Sequence, residues 1–350
     1  MILRKQAIGI DISKDTFNAC LGSQGQNGEL SFTSGICFKN TKQGSNRLLR
    51  WVKPILDREV PLVFLMEATG VYYQNLAHHL HGIGKTVHVV LPNTSSHYAK
   101  SLNVKTKTDA LDAKILAQFA LERTHRVWSP PSKILGELRH LTRYGVQLQE
   151  QRTTLNNMVH SKVSAHAVQS FIVNSNKQLV RGIDRQIERT RQQIEVHIAS
   201  DPMLSEHVDR LASIKGIGRL TVATILAETN GFAHIANVRA LVSYAGYDVV
   251  QHESGTSVKG KTRISKKGNR YIRNALYFPA MVACRFNPEL KSFYERVIRN
   301  KPSKMIGQVA VQRKLLVLMY SLYKNGTTYQ SDYNKVAPTI NVEATLDHCL

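Results

Sequence analysis

The hydrophobic spacing of this chain changes period once, and that change decides how it can fold. Up to about residue 125, short apolar runs of strand length alternate with helical signals. From 133 to 200 the apolar residues recur by threes, fours and sevens: Leu138, Leu141, Leu148, Leu155 and Val159, then Val180, Ile183, Ile187, Ile194 and Ile198. Gln, Arg, Glu and Thr fill the positions between. Short runs suit a sheet, and a repeat near 3.5 suits a paired helix, so the two stretches belong to different architectures. The break falls at VWSPPS, residues 127–132, where two prolines stop a helix.

In the first region the predicted strands are 6–11, 16–21, 35–39, 61–66 and 86–91, and the predicted helices 42–57, 72–81 and 109–123. This order implies an α/β layer on a mixed sheet. The second region predicts two long amphipathic helices, an antiparallel coiled hairpin or a dimer contact, turning at FIVNSN, 171–176. The third opens at Asp201-Pro202. There LASIKGIGRLTVATILAET, 211–229, reads helix, tight glycine turn, helix. Gly216 and Gly218 allow a close turn whose N–H groups can meet a phosphate at the next helix N-terminus, beside Lys215. The pattern resembles a helix-hairpin-helix module; a plain helical turn is the alternative. Helices over 274–284 and 305–323 complete a mainly α domain. The expected divisions are 1–127, 128–204, 205–330 and a tail, 331–350, with little periodic signal.

Charge narrows the partner. Of 350 residues, 47 are Lys or Arg and 25 Asp or Glu, a formal net charge of +22. Clustered cations gain free energy by displacing counterions from phosphates, so a polyanion is implied. KGKTRISKKGNRYIR, 259–273, concentrates the charge: Lys259, Lys261, Arg263, Lys266, Lys267, Arg270 and Arg273, with no acid between Gly255 and Pro288. Gly, Ser, Thr and Tyr interleave with these cations, as in a phosphate track. An anionic membrane is a poorer fit, for no basic amphipathic stretch with a Trp/Phe/Leu face occurs. No apolar run reaches the ~18 residues of a membrane span. MILRKQAIGID lacks the apolar core of a signal peptide, and the four cysteines form no CxxC pair, so a cytoplasmic protein without zinc is expected.

Against that charge, four acids stand out. Asp11 ends the run Ala7-Ile8-Gly9-Ile10, and Glu67 ends PLVFLM. Asp109 and Asp112 lie three apart on a predicted helix and share a face, after Lys105 and Lys107. Each alone could be a turn, surface or capping residue. Together they match the need of a two-metal phosphodiester site, where carboxylates converge on divalent cations ~4 Å apart. Mg²⁺ suits such hard oxygen ligands. His78, His79 and His81 also invite a metal reading, but neighbours on a helix point apart and no carboxylate accompanies them.

GIDISKDTF, MEATG and KTKTDALDAKILA, in this order, resemble the Asp-Glu-Asp-Asp RuvC-like domain of a family of insertion-sequence transposases related to Piv-type DNA invertases. LVSYAGYDVVQHESGTSVKGKTRISKKGNRYIRNALYFPA resembles that family's second, transposase domain. The resemblance runs from about residue 6 to about 325. It implies an RNase H/RuvC-like α/β fold, Asp11, Glu67, Asp109 and Asp112 as metal ligands, and a serine held as a covalent phosphoserine during strand exchange. Ser254, followed by Gly255, matches that serine; Ser257, three residues on, is the other candidate. The resemblance further implies donor and target double-stranded DNA, a structured bridge RNA as guide, and a dimer or tetramer. No recognition helix or zinc finger is evident, which suits specificity by base pairing.

Three other functions are weighed against this. A RuvC-like nuclease cutting branched DNA by water attack needs the four acids but not Ser254. GIDIS also resembles the first phosphate loop of actin-like kinases, whose second Asp-Gly-Gly-type loop is missing. An architectural DNA binder would leave four acids beside a polyanion with no cation to screen them.

Overall fold

The computed structural model describes residues 2–104, 108–166, 168–233, 235–251, 253–254, 258–260 and 262–330; for Ser254, Val258 and Lys259 it describes only the backbone. Lys105, Lys107, Ser257, Lys261 and the tail from 331 lie outside the described residues. The chain divides into two compact units, Met1–Pro130 and Pro131–Leu350.

The first unit contains β1 (Leu3–Ile12), β2 (Thr16–Gly25), β3 (Leu30–Phe32), β4 (Ile36–Lys39), α1 (Lys42–Val52), β5 (Leu62–Glu67), α2 (Gln74–Gly82), β6 (Thr86–Val90), α3 (Pro92–Ser101) and α4 (Asp109–Glu122). The sheet order is β3-β2-β1-β5-β6, with β4 also on β2. β1–β2 is antiparallel, whereas β1–β5 and β5–β6 are parallel, so the sheet is mixed. Alternation along β1 sorts the layers. Ile8, Ile10 and Ile12 join Leu48, Val52, Leu76 and Leu80 under α1 and α2. Ala7 joins Leu65, Tyr98, Leu116 and Phe119 under α3 and α4 on the other face. Gly9 lies on that second face, and a methyl group there would overlap the Ala113 carbonyl and the Ala117 amide of α4. Helix backbone thus rests directly on strand backbone.

The second unit is helical: α5 (Lys133–Val163), α6 (Ser170–Ala199), α7 (Pro202–Ala212), α8 (Arg219–Thr229), α9 (Val238–Ala245), α10 (Arg270–Phe286), α11 (Pro288–Ile298) and α12 (Lys304–Asn325). Short strands β7 (Val249–Val250), β8 (Glu253–Ser254), β9 (Val258–Lys259) and β10 (Arg263–Ile264) lie between α9 and α10. Gly145 packs on Thr190, Arg152 pairs with Asp184 at 2.5 Å, and His197 contacts the Ile134 carbonyl. Numbers rising on α5 as they fall on α6 make the pair antiparallel. Its inner end joins one core with α7 to α12 through Leu138, Ile194 and Ile198.

The structure departs from the expectations at several places. FIVNSN lies inside α6, and the turn falls between Val163 and Ser170. Its two asparagines are weak helix formers rather than breakers, and no Gly or Pro accompanies them. The helix expected over 42–57 ends at Val52, just before Pro54. β3 and α3 carry too little apolar periodicity to announce themselves; α3, PNTSSHYAKS, buries only Ser95 and Tyr98, whereas α11 shows helical spacing at Leu290, Phe293, Tyr294 and Val297 that the expectations do not include. The discounted histidines have structural places: His78 and His81 meet the Trp128 ring edge-on, and His79 meets Asn46. No described helix is long and apolar enough to cross a membrane.

Candidate functional site

The register of the sheet puts two of the four acids side by side. Ile10 pairs with Met66 in the parallel β1–β5 ladder, so the next residues, Asp11 and Glu67, occupy neighbouring positions at the carboxyl ends of the two strands. Asp11 follows Gly9 by two residues and Glu67 follows Leu65 by two, so both lie on the α4 face. α4 supplies the third. Ala113 is pressed against Gly9, and Asp112 immediately precedes it in the first turn. Asp109 opens the same turn. It is exposed, and it is not the cap: Thr108 accepts from the Leu111 amide at 3.3 Å.

The surroundings hold this edge in place. Glu67 Oε2 accepts from Ser95 Oγ at 2.6 Å, and Oε1 accepts from Thr69 Oγ1 at 3.3 Å. Ser95 is buried in α3, so a helix that sequence reasoning missed orients one of the acids. The Asn40 amide donates to the Ser13 and Tyr72 carbonyls, tying the β1–β2 turn to the chain leaving β5. Behind the edge, burial and the Glu122 carboxylate push the Tyr98 phenol well up from its ordinary pKa.

Carboxylates are the right donors for a hard divalent cation, and the backbone brings Asp11, Glu67 and Asp112 to one sheet edge. Placement and donor chemistry therefore fit. As placed, though, no three His, Cys, Asp or Glu side chains among the described residues form a group that could hold a metal ion.

In the second unit, Gly216 has φ +98° and sits against the Pro279 carbonyl and Ala283 of α10, so this glycine serves helix packing as well as the turn. Lys215 and Gly218 are exposed, and the N-terminus of α8 at Gly218 carries no side-chain cap. Of the basic run, Arg263, Lys266, Lys267 and Arg270 are exposed. Arg273 is half-buried and donates to the Ala245 carbonyl at 2.7 Å, a structural engagement. Ser254 pairs with Val258 in a narrow antiparallel hairpin, and Lys259 pairs with Glu253. Val249 and Val250 pair with Ile264 and Arg263 below it. Two short strand pairs, β7–β10 and β8–β9, thus follow one another between α9 and α10 and together make the ribbon that contains Ser254.

Residues 8–167 match the family model of the DEDD transposases of IS110, described as a transposase, and residues 208–295 match "Transposase IS116/IS110/IS902 family". The protein class is thus that of the DNA transposases, which are recombination enzymes. The chain belongs to the IS110/IS116 family of these transposases. Among curated proteins, the pilin gene-inverting protein of Moraxella bovis is 28% identical over 333 residues, covering 93% of this chain and 98% of its own. A probable family 20 transposase of Pseudomonas aeruginosa is 21% identical, covering 92% and 98%. The transposase of insertion sequence IS1111A from Coxiella burnetii is 21% identical, covering 92% and 91%. The solved structure of Thermus thermophilus RuvC covers 35% of this chain and 99% of its own at 16% identity, with a TM-score of 0.27, a likeness too weak to bear on the fold.

Proposed function

We propose that this transposase cuts and rejoins donor and target DNA through a covalent phosphoserine on Ser254, with Asp11, Glu67, Asp109 and Asp112 holding divalent Mg²⁺. What supports the reading is backbone placement: Asp11 and Glu67 stand at the carboxyl ends of neighbouring β1 and β5, and Asp112 lies in the first turn of α4, which packs on Gly9. A bound divalent cation would supply charge stabilisation at the scissile phosphate. Ser254 Oγ forms a P–O bond as a P–O bond of the DNA strand breaks. The serine proton is lost to a base or solvent, and the departing DNA oxygen takes up a proton. Attack by a DNA hydroxyl reverses the step, so strands rejoin without outside energy. The exposed cations Arg263, Lys266, Lys267 and Arg270 are suited to hold backbones, as are Lys259 and, outside the described residues, Lys105, Lys107 and Lys261. The pilin gene-inverting and transposase relatives support a DNA substrate. A guide RNA that pairs with donor and target DNA, and a dimer or tetramer holding both duplexes, complete the proposal. The reaction would take place in the cytoplasm.

The test traps the covalent step. The protein, Mg²⁺, its element-end RNA and labelled donor and target DNA are incubated and run on a denaturing gel. A protein–DNA adduct is expected, lost in Ser254→Ala and kept in Ser257→Ala. Cleaved ends with no adduct, indifferent to both serines, would instead establish hydrolysis by water and remove Ser254 from the chemistry.

Ser95 gives a finer expectation. Ser95→Ala removes the closest donor to Glu67 and loosens that carboxylate; orienting partners of this kind are worth about 10-fold or more in activity. The adduct should form about 10-fold more slowly in single turnover, while one lost hydrogen bond lowers stability by only about 1 kcal/mol. A wild-type rate would show that Ser95 does not orient the site.

A further inference from the structure

Glu228 is a buried carboxylate that no part of the proposed chemistry uses. It lies in the last turn of α8, and its side chain is 1% exposed. That is a costly place for an anion: the carboxylate has left water and sits near the negative end of the helix dipole. Three side-chain contacts offset the cost. Arg143 of α5 binds it with two parallel hydrogen bonds, Nε to Oε1 at 2.6 Å and Nη2 to Oε2 at 2.8 Å. Asn269 Nδ2 donates to Oε2 at 2.6 Å. With the carboxylate buried and Arg143 still 39% exposed, the pair adds little net stability over apolar residues of the same volume, and what it supplies is fixed geometry.

What it fixes is the foot of the Ser254 ribbon. The chain enters the ribbon through Ala245–Asp248 and leaves through Ser265–Asn269. These two feet are joined by Ser265 N to Asp248 O at 2.8 Å, Ser265 Oγ to Asp248 Oδ1 at 2.6 Å and Lys266 N to Gly246 O at 3.2 Å. Asn269 then does three things. Its amide N–H donates to the Tyr244 carbonyl, its Oδ1 caps α10 at the Tyr271 and Ile272 amides, and its Nδ2 reaches Glu228. Tyr244 closes the ring by donating to the Glu228 backbone carbonyl at 2.7 Å. On the other side, the Arg143 guanidinium also lies 4.6 Å from the Tyr271 ring centre, against the first turn of α10. One buried carboxylate therefore joins the long helix α5 to the exit foot of the ribbon.

We propose that Glu228, Arg143 and Asn269 are positioning residues, which lock the Ser254 ribbon to α5 so that the attitude of the helical arm sets the attitude of the serine. This rests on the reading of Ser254 as nucleophile. Near-attack geometry is sensitive to displacements of about 1 Å, which cost roughly 100-fold in rate, so a slack foot should be felt at the chemical step.

The test compares Glu228→Gln, Arg143→Gln and the double variant in the full chain. Four quantities are measured: the thermal midpoint, affinity for the element-end RNA and DNA, the single-turnover adduct rate, and amide hydrogen exchange at 249–250 and 263–264. Each single variant leaves a buried charge or its partner uncompensated, so its midpoint should fall. The double variant has no buried charge, and its midpoint should return towards the wild type. The adduct rate of the double variant should nonetheless stay about 100-fold low, with unchanged nucleic-acid affinity and faster exchange at the ribbon feet. Recovery of the rate together with the midpoint would overturn the proposal, since the pair would then serve stability alone. If the wild-type chain forms no adduct, the reading of Ser254 fails, and exchange decides: wild-type exchange at the feet in the double variant overturns the lock by itself.

Discussion

Gly9→Ala should unfold the first unit or leave it barely folded, and a thermal melt followed by circular dichroism would show it. The added methyl meets the Ala113 carbonyl and the Ala117 amide, which are helix backbone and cannot rotate away as a side chain would. Relief requires α4 to lift from β1. That separates Leu116, Ala117 and Ala120 from the sheet face they cover, and all three are buried. Overpacking a core costs about 1–3 kcal/mol even when flexible side chains absorb it. Backbone against backbone should exceed that range and take much of the roughly 5–15 kcal/mol that stabilises a domain. The lift would also carry Asp112 away from Asp11 and Glu67, so any folded remainder should be inactive. A wild-type melting curve would mean that α4 does not rest on the β1 backbone at this point, and the arrangement of the acids would fall with it.

Asp11→Asn should have the largest effect on chemistry with the least on folding. The substitution keeps the shape of the side chain at a half-buried strand end, so the melting curve without added metal should change little. It removes a full negative charge from a site proposed to hold a divalent cation. Adduct formation should drop by about a thousandfold, roughly 4 kcal/mol of transition-state stabilisation. A second readout needs no DNA. If the four acids bind Mg²⁺, adding it should raise the wild-type melting temperature by mass action, and Asp11→Asn should shrink that shift. An unchanged Mg²⁺ response together with an unchanged adduct rate would remove Asp11 from the metal site.

Much of the first unit was legible because its signals are local. An apolar run ending in an acid announces a strand and where it stops, and Asp11 and Glu67 do lie at the ends of β1 and β5. Asp109 and Asp112 were found as a pair on a helix face, but Thr108 rather than Asp109 is the cap. The contact that brings α4 to β1 was not legible, since Gly9 reads only as a small residue in a strand until the helix lies on it. α3 was hidden for a different reason. Its helical character depends on two buried residues, Ser95 and Tyr98, and an N-terminal proline, too few for a period to be seen.

Glu228 was missed although a signal existed. TVATILAET is apolar along most of its length, and an acid inside such a stretch demands a partner once the helix is buried. Its partners, Arg143 and Asn269, lie 85 and 41 residues away along the chain, where no spacing rule connects them. The arm turns after Val163 and not at FIVNSN, although that segment holds two asparagines. Inside a 30-residue helix they cost little each, and long-range pairing along α5 outweighs them.

The arm has one mechanical consequence. α5 is 31 residues long, about 45 Å at 1.5 Å per residue, yet its buried positions, Leu138, Thr142 and Leu148, reach no farther than its midpoint. On α6 the buried positions begin only at Ile187, while Val163, Phe171 and Leu179 stand in solvent farther out. Such a rod is a cantilever, clamped at one end and free along the rest. A rotation of about 5° at the clamp sweeps the tip through roughly 4 Å, given the length of the helix. Read in reverse, the same leverage converts a displacement of several ångströms at the tip into a turn of a few degrees at Arg143, a motion small enough for a packed core to accommodate.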